Sequence, residues 1–158
     1  MKSFDTVRRV AHSADDMFAL VADVERYPEF VPLCAGMRVS RRRKIAGGEE
    51  MLCAMTVAYK AFHETFTTRT TLLPERSEIL VQYIDGPFRD LKNRWSFEPL
   101  GPKACKVRFF IAYQFHSRTL QLVAGAVFDR AFRKFVDAFE ARADRLYGKR
   151  KRLEEVKS

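Results

Sequence analysis

The sequence is poor in the residue patterns on which most enzymes and metal proteins depend. Its three cysteines, Cys34, Cys53 and Cys105, lie far apart and form no C-x-x-C pair, and its three histidines, His12, His63 and His116, are equally scattered. Zinc sites need closely spaced ligands and disulfide frameworks an even cysteine count, so neither is expected, and the thiols read as free and buried. There is no G-x-S-x-G elbow and no glycine-rich loop of the kind that cradles phosphates. The longest run without a formal charge, Thr119 to Phe128, is about ten residues. A helix crossing a bilayer needs about twenty. The opening segment carries Lys2, Asp5, Arg8, Arg9, Asp15 and Asp16, which leaves room for neither a secretory h-region nor an acid-poor transit peptide. The expectation is a cytoplasmic protein.

What the chain has in quantity is phenylalanine and positive charge. Among 158 residues, 47% are hydrophobic and 14 are Phe, enough for one domain with a real core. The formal net charge is +9, which attracts the protein to phosphate-rich surfaces, whether nucleic acid or anionic lipid. One basic cluster joins Arg38 to Arg41, Arg42, Arg43 and Lys44, and another is the tail Lys149 to Arg152. They read either as a solvated hairpin tip and a frayed end, or as a docking surface. The domain is expected to span 1–148, with 149–158 a basic, disordered tail.

Ser3 to Val10 reads as a strand. Ser13 then caps a helix, with Asp16 three residues on, close to a capping box, and Met17, Phe18, Leu20, Val21 and Val24 as its apolar stripe. The two prolines of Tyr27-Pro28-Glu29-Phe30-Val31-Pro32 forbid one continuous helix and predict a second short helical turn. From Met37 the hydrophobic period changes to two, giving strands over Met37–Arg43, Glu50–Lys60, Phe62–Leu73, Glu78–Asp85 and Leu91–Pro99, and a last one carrying Cys105 to Phe115. Ser117 to Tyr147 follows as one amphipathic helix, with Leu120, Val123, Val127, Ala131, Phe135 and Phe139 on its apolar stripe, Ser117 as N-cap and Gly148 as C-cap. At 1.5 Å per residue it would run roughly 45 Å. Consecutive strands with short turns form an antiparallel meander, and such a sheet can cover this helix only by curling around it. The predicted class is α+β: a strongly curved antiparallel sheet of six to seven strands wrapped around a long C-terminal helix, with two short helices after the first strand.

The alternation places mostly apolar side chains on the inward face. The exceptions are Tyr59, Glu64, Thr68, Thr70, Tyr83, Asp85, Asn93 and Tyr113. Glu64 shares parity with Phe62 and Phe66, so it either meets an arginine at a rim, is exposed by a bulge, or hydrogen-bonds the polar head of a ligand. No nucleophile has a base in reach, so no catalytic residue is assigned and the chain is read as a non-enzyme, without metal or catalytic cofactor. An apolar cavity with few polar groups suits an isoprenoid or acyl ligand, whose affinity comes from area removed from water. A close-packed core would give the same periodicity.

Three stretches resemble the coenzyme Q-binding protein family: Val21 to Cys34, with Tyr27-Pro28-Glu29-Phe30-Val31-Pro32 inside it; Phe66-Thr67-Thr68-Arg69; and Asp85-Gly86-Pro87-Phe88-Arg89-Asp90-Leu91 with Trp95-Ser96-Phe97. That family belongs to the START-like, helix-grip superfamily, which also holds polyketide cyclase-like proteins. A bacterial branch described as ribosome-association toxins, thought to bind the large ribosomal subunit, shares these motifs. Leu33 departs from both patterns, where quinone-binding members often carry Trp and the toxin branch Gly. The resemblance implies a pocket between sheet and C-terminal helix that binds ubiquinone as a ligand and supports respiratory electron transport, in a bacterial protein. It implies Tyr27, Pro28, Phe30 and Pro32 at the pocket mouth, Gly86, Pro87 and Phe88 at the other lip, and Trp95 as a wall. Phe66 and Glu64, with Phe128, Phe132 and Phe135 opposite Trp95, complete the expected ligand-binding set. Arg41, Arg42, Arg43 and Lys44 would hold the protein at the inner face of the plasma membrane. Binding to the ribosome is the alternative partner, a cyclase-like enzyme the second alternative, and no DNA partner is expected.

Overall fold

The computed structural model describes residues 1–148, so the expected tail at 149–158 lies outside the described residues. The chain order is β1 (Lys2–Val10), α1 (Ala14–Ala22), a 3₁₀ helix (Val24–Glu29), β2 (Cys34–Ile45), β3 (Gly48–Tyr59), β4 (Phe62–Leu73), β5 (Glu78–Asp85), β6 (Phe88–Gly101), β7 (Ala104–Phe115), α2 (Arg118–Arg133) and α3 (Phe135–Tyr147). The seven strands form one sheet in the order β1-β7-β6-β5-β4-β3-β2. Every neighbouring pair is antiparallel. β1 and β2 are therefore the two edges.

The helix starts follow from local chemistry. Ser13 Oγ accepts the Asp16 N–H at 3.0 Å, and Ser117 Oγ accepts the Leu120 N–H at 3.1 Å. Each hydroxyl satisfies a backbone donor that an α-helix leaves without a partner. The segment after α1 is a 3₁₀ helix with Pro28 inside it, as the prolines require of a turn that cannot propagate.

The long C-terminal helix differs from its sequence reading, because it is two helices that meet at Lys134. No proline or glycine stands there. The Lys134 N–H instead reaches back to the Ala131 carbonyl at 3.0 Å, a tightened turn that ends α2 and lets α3 begin. A helix laid along a curved sheet must itself turn to stay in contact, and the break falls between Phe132 and Phe135, whose rings meet edge to face at 5.3 Å.

α3 is tied to the opposite end of the chain. Arg8 of β1 pairs with Asp137 and Glu140, and His12 Nε2 lies 2.7 Å from Asp144 Oδ1. The Tyr147 hydroxyl donates to the Asp16 carbonyl at 3.3 Å. Between sheet and helices the core is continuous, with Phe109, Phe139, Val136 and Tyr113 among its fully buried side chains. Burying each such side chain contributes roughly 1.5–3 kcal/mol. No described helix is long and apolar enough to cross a membrane.

Candidate functional site

The concave face of the sheet and the inner faces of α2 and α3 do not close on one another completely. Between them lies a cavity of about 860 Å³, counting the part that opens toward solvent. Only about 80 Å³ of this is wide enough for the centre of a water molecule, so the space is a narrow slit rather than a chamber. β3 and β4 supply Cys53, Met55, Val57, Phe66, Thr68 and Thr70; β5 and β6 supply Ile79, Val81, Asn93 and Trp95. The helices close it with Phe128, Ala131, Phe132, Phe135 and Phe139, the 3₁₀ helix with Tyr27, and the turn after it with Pro32 and Leu33.

Seven of the residues expected to bind ligand line this slit: Tyr27, Pro32, Phe66, Trp95, Phe128, Phe132 and Phe135. Pro28, Phe30, Glu64, Gly86, Pro87 and Phe88 stand outside the lining. Phe30 packs its ring against Tyr27 and Phe139 at 6.1 and 5.0 Å, behind the wall, while Pro28 is exposed. Phe88 is fully buried among Phe66, Tyr83, Phe115 and Phe128, and the Tyr83 hydroxyl accepts its N–H at 3.0 Å. Gly86, at φ +144°, lies so close to Phe66 that a Cβ there would stand 2.4 Å from the Phe66 Cβ. Its glycine is required by that approach, and Gly86 and Phe88 thus bear on the cavity through Phe66.

Glu64 pairs with Val57 in an unbroken β3–β4 register and shares a face with Phe62 and Phe66. It nevertheless sits close to the Tyr59–Phe62 hairpin tip and is half-exposed, so its carboxylate keeps access to water. Asp85 and Tyr59 are exposed as well. For Asp85 the cause is a register shift at Thr67/Thr68 that pairs it with Thr67.

The polar atoms that do face the slit are few. Asn93 Nδ2 donates to the Phe110 carbonyl at 2.8 Å, which fixes the amide. Thr70 Oγ1 lies 3.4 Å from Cys53 Sγ, and the Tyr27 hydroxyl donates to the Val21 carbonyl. Thr68 is buried and, among the described residues, its hydroxyl has no side-chain hydrogen bond. Burial pushes the Tyr27 phenol far up, and the Cys53 thiol up, so both stay protonated and neutral. Among the described residues no carboxylate, histidine, lysine or arginine lines the slit. Val81 and Ile111 had no signal in the sequence beyond apolar alternation; their place in the wall comes from the curvature of the sheet.

The basic run of β2 is exposed, and two of its cations are paired within the fold. Arg42 pairs with Glu25 at 2.8 Å and Glu49 at 3.6 Å, and Arg43 pairs with Glu50. Arg41 occupies the β-bulge between Ser40 and Arg43 with φ +50°.

Comparison with known proteins agrees with this architecture. The chain is 37% identical over 148 residues to the ribosome association toxin of Vibrio cholerae, covering 94% of this chain and 99% of that protein. It is 32% identical to the mitochondrial coenzyme Q-binding protein of Drosophila melanogaster, covering 82% of this chain and 53% of that one. The solution structure of an 18 kDa protein from Caulobacter crescentus superposes with a TM-score of 0.76 at 34% identity, over 94% of this chain and 99% of the other. An aromatase/cyclase from Streptomyces sp. R1128 superposes at 0.77 with 17% identity, over 91% and 94% of the two chains, a likeness of fold alone. Residues 10–140 match the family described as polyketide cyclase/dehydrase and lipid transport, and the chain belongs to that family, beside the START-like coenzyme Q-binding proteins and ribosome association toxins.

Proposed function

We propose that the protein binds ubiquinone, or a closely similar isoprenoid lipid, between its sheet and C-terminal helices and acts without catalysis as a quinone carrier or chaperone for respiratory electron transport. The observation that carries this reading is the narrow apolar slit, lined by aromatic rings and interrupted by only a few hydroxyl and amide groups. A flat quinone ring with an isoprenoid chain gains most of its affinity from area removed from water, roughly 25 cal/mol per Å². A quinone also offers only acceptors, so orientation needs a donor, and the Thr68 hydroxyl is the buried donor available for it. Phe132 and Phe135, at the joint of α2 and α3, have to part for the ring to enter. The basic run Arg41 to Lys44 would hold the protein at the anionic inner face of the plasma membrane, each cation near that surface adding about 1 kcal/mol. Organic extraction of the purified full-length protein followed by mass spectrometry tests this: co-purified quinone is expected, with retention lost in Phe132→Asp and kept in Arg42→Glu. Protein that carries no quinone and acquires none from quinone-loaded vesicles would overturn it.

A second reading, association with the large ribosomal subunit, is favoured by the end-to-end similarity to the Vibrio toxin. Co-sedimentation with large subunits at physiological salt tests it, and the two roles are not exclusive.

A further inference from the structure

The convex face of the sheet carries a second feature that the cavity does not use. In one cross-strand row the register sets Ser40, Leu52, Arg69, Gln82 and Lys92 side by side. In the next row it sets Arg43, Glu50, Thr71, Leu80, Arg94 and Phe110. Two shallow recesses follow from this, one lined by Arg41, Arg43 and Arg69, the other by Arg69, Gln82, Lys92 and Arg94, and Arg69 belongs to both. Among the described residues, Arg41, Arg69, Lys92 and Arg94 have no carboxylate within 4.0 Å, unlike Arg42 and Arg43. Two carboxylates, Glu50 and Asp90, share the recesses with the cations, and Asp5 lies next to Phe110 at the end of the second row. Asp5 is held by Arg108, Glu50 by Arg43, and Asp90 accepts the Leu91 N–H. Arg69 of β4 and Lys92 of β6 flank the uncharged Gln82 of β5, so the row presents cations at a spacing of two strands, which a polyanion can bridge.

We infer that this strip, Arg41–Arg69–Lys92–Arg94, docks the phosphate backbone of structured RNA. The inference rests on the ribosome reading and names the face and the chemistry it would use. Two features favour RNA over a lipid surface. The strip crosses four inter-strand steps, about 19 Å, and a sheet twisting by 20–25° per step turns its cations through about 80–100° over that distance. A flat bilayer can meet one end of such a surface at a time, whereas a folded polyanion can follow it. The apolar residues here, Leu52, Leu80 and Phe110, are half-buried, with the Arg94 guanidinium 6.0 Å from the Phe110 ring, so no side chain protrudes to insert into lipid. Contacts of this kind are to phosphates, are tolerant of sequence and weaken with salt.

The test uses the full chain and the triple variant Arg69→Gln/Lys92→Gln/Arg94→Gln, with Lys103→Gln/Arg118→Gln/Arg145→Gln as a control of equal charge. A thermal unfolding midpoint close to wild type shows that each variant is folded. Fluorescence anisotropy with a synthetic RNA hairpin from about 50 to about 200 mM salt is expected to give a salt slope lower by about 2–3 in the triple variant, with affinity reduced on the order of ten-fold or more. The control should keep most of both. Equal effects in the two variants, or loss of binding to phosphatidylglycerol vesicles with RNA binding intact, would overturn the inference. If wild type and triple variant co-sediment equally with large ribosomal subunits, the ribosome reading stands and this face is wrong. If wild type fails to co-sediment, that reading falls, and the hairpin slopes alone decide the face.

Discussion

Leu33 is the residue at which the backbone and the side chain are in conflict. Its φ of +68° lies in the left-handed region, which costs an L-residue about 1–2 kcal/mol, and its side chain helps close the cavity. The family resemblance leads one to expect Trp or Gly where this chain has Leu. The backbone at this position is one that Gly adopts without cost, while Leu trades strain for apolar cover. Truncation here should invert the usual order of backbone preference: Leu33→Gly should be more stable than Leu33→Ala by about 1 kcal/mol. Urea unfolding of the two variants measures this, and an Ala variant as stable as the Gly variant would show that the conformation is not strained.

α3 is held as an element by contacts that no local pattern announces. His12 is 1% exposed, its Nε2 is satisfied by Asp144, and its Nδ1 has no partner. Removing the carboxylate leaves a buried ring with neither nitrogen bonded, which costs about 1–3 kcal/mol. Asp144→Ala should therefore lower the unfolding midpoint by several degrees, at about 2–4 °C per kcal/mol for a chain of this size. Calorimetry that finds no change would mean water replaces the carboxylate. Much of the element order was legible in advance. β4 and β5 match their expected spans because alternation and turn residues agree there, and both serine caps act as their spacing implies. The break at Lys134 was not legible, because the turn answers to the curvature of the sheet and to no residue in the helix. Glu64 takes the face its parity implies, but parity does not tell how far along a strand the cover extends, which is why its half-exposure was left open. The unpaired cations of β4 and β6 escaped notice because Arg69 and Lys92 come into one row only through the register, whereas in the conspicuous run on β2 Arg42 and Arg43 prove to be paired.

For the whole molecule, buried acids that stay neutral set the response to alkali. Burial pushes the Cys34 thiol up to about 11, and the Cys105 thiol and Tyr113 phenol up to about 12. In the unfolded chain thiols ionise near ~8.5 and phenols near ~10. Between those values and the folded ones the unfolded state binds fewer protons than the native state, so stability falls as pH rises. The unfolding midpoint should be insensitive to these groups below about pH 8 and decline steadily from about pH 9 to 11. A midpoint monitored by circular dichroism that stays level to about pH 11 would place these groups in contact with water.

The edge position of β2 gives its arginines one more consequence. An open sheet ends in unpaired N–H and C=O groups, and two such edges on separate copies can join into a polymer. Here the bulge at Arg41 breaks the flat run of those groups, Arg42 reaches across to Glu25 of the 3₁₀ helix, and Arg38 and Lys44 add like charge on either side. A second copy approaching this edge meets charge repulsion and a backbone out of step with its own, so the segment that reads as a docking signal also keeps the molecule from self-assembling strand by strand.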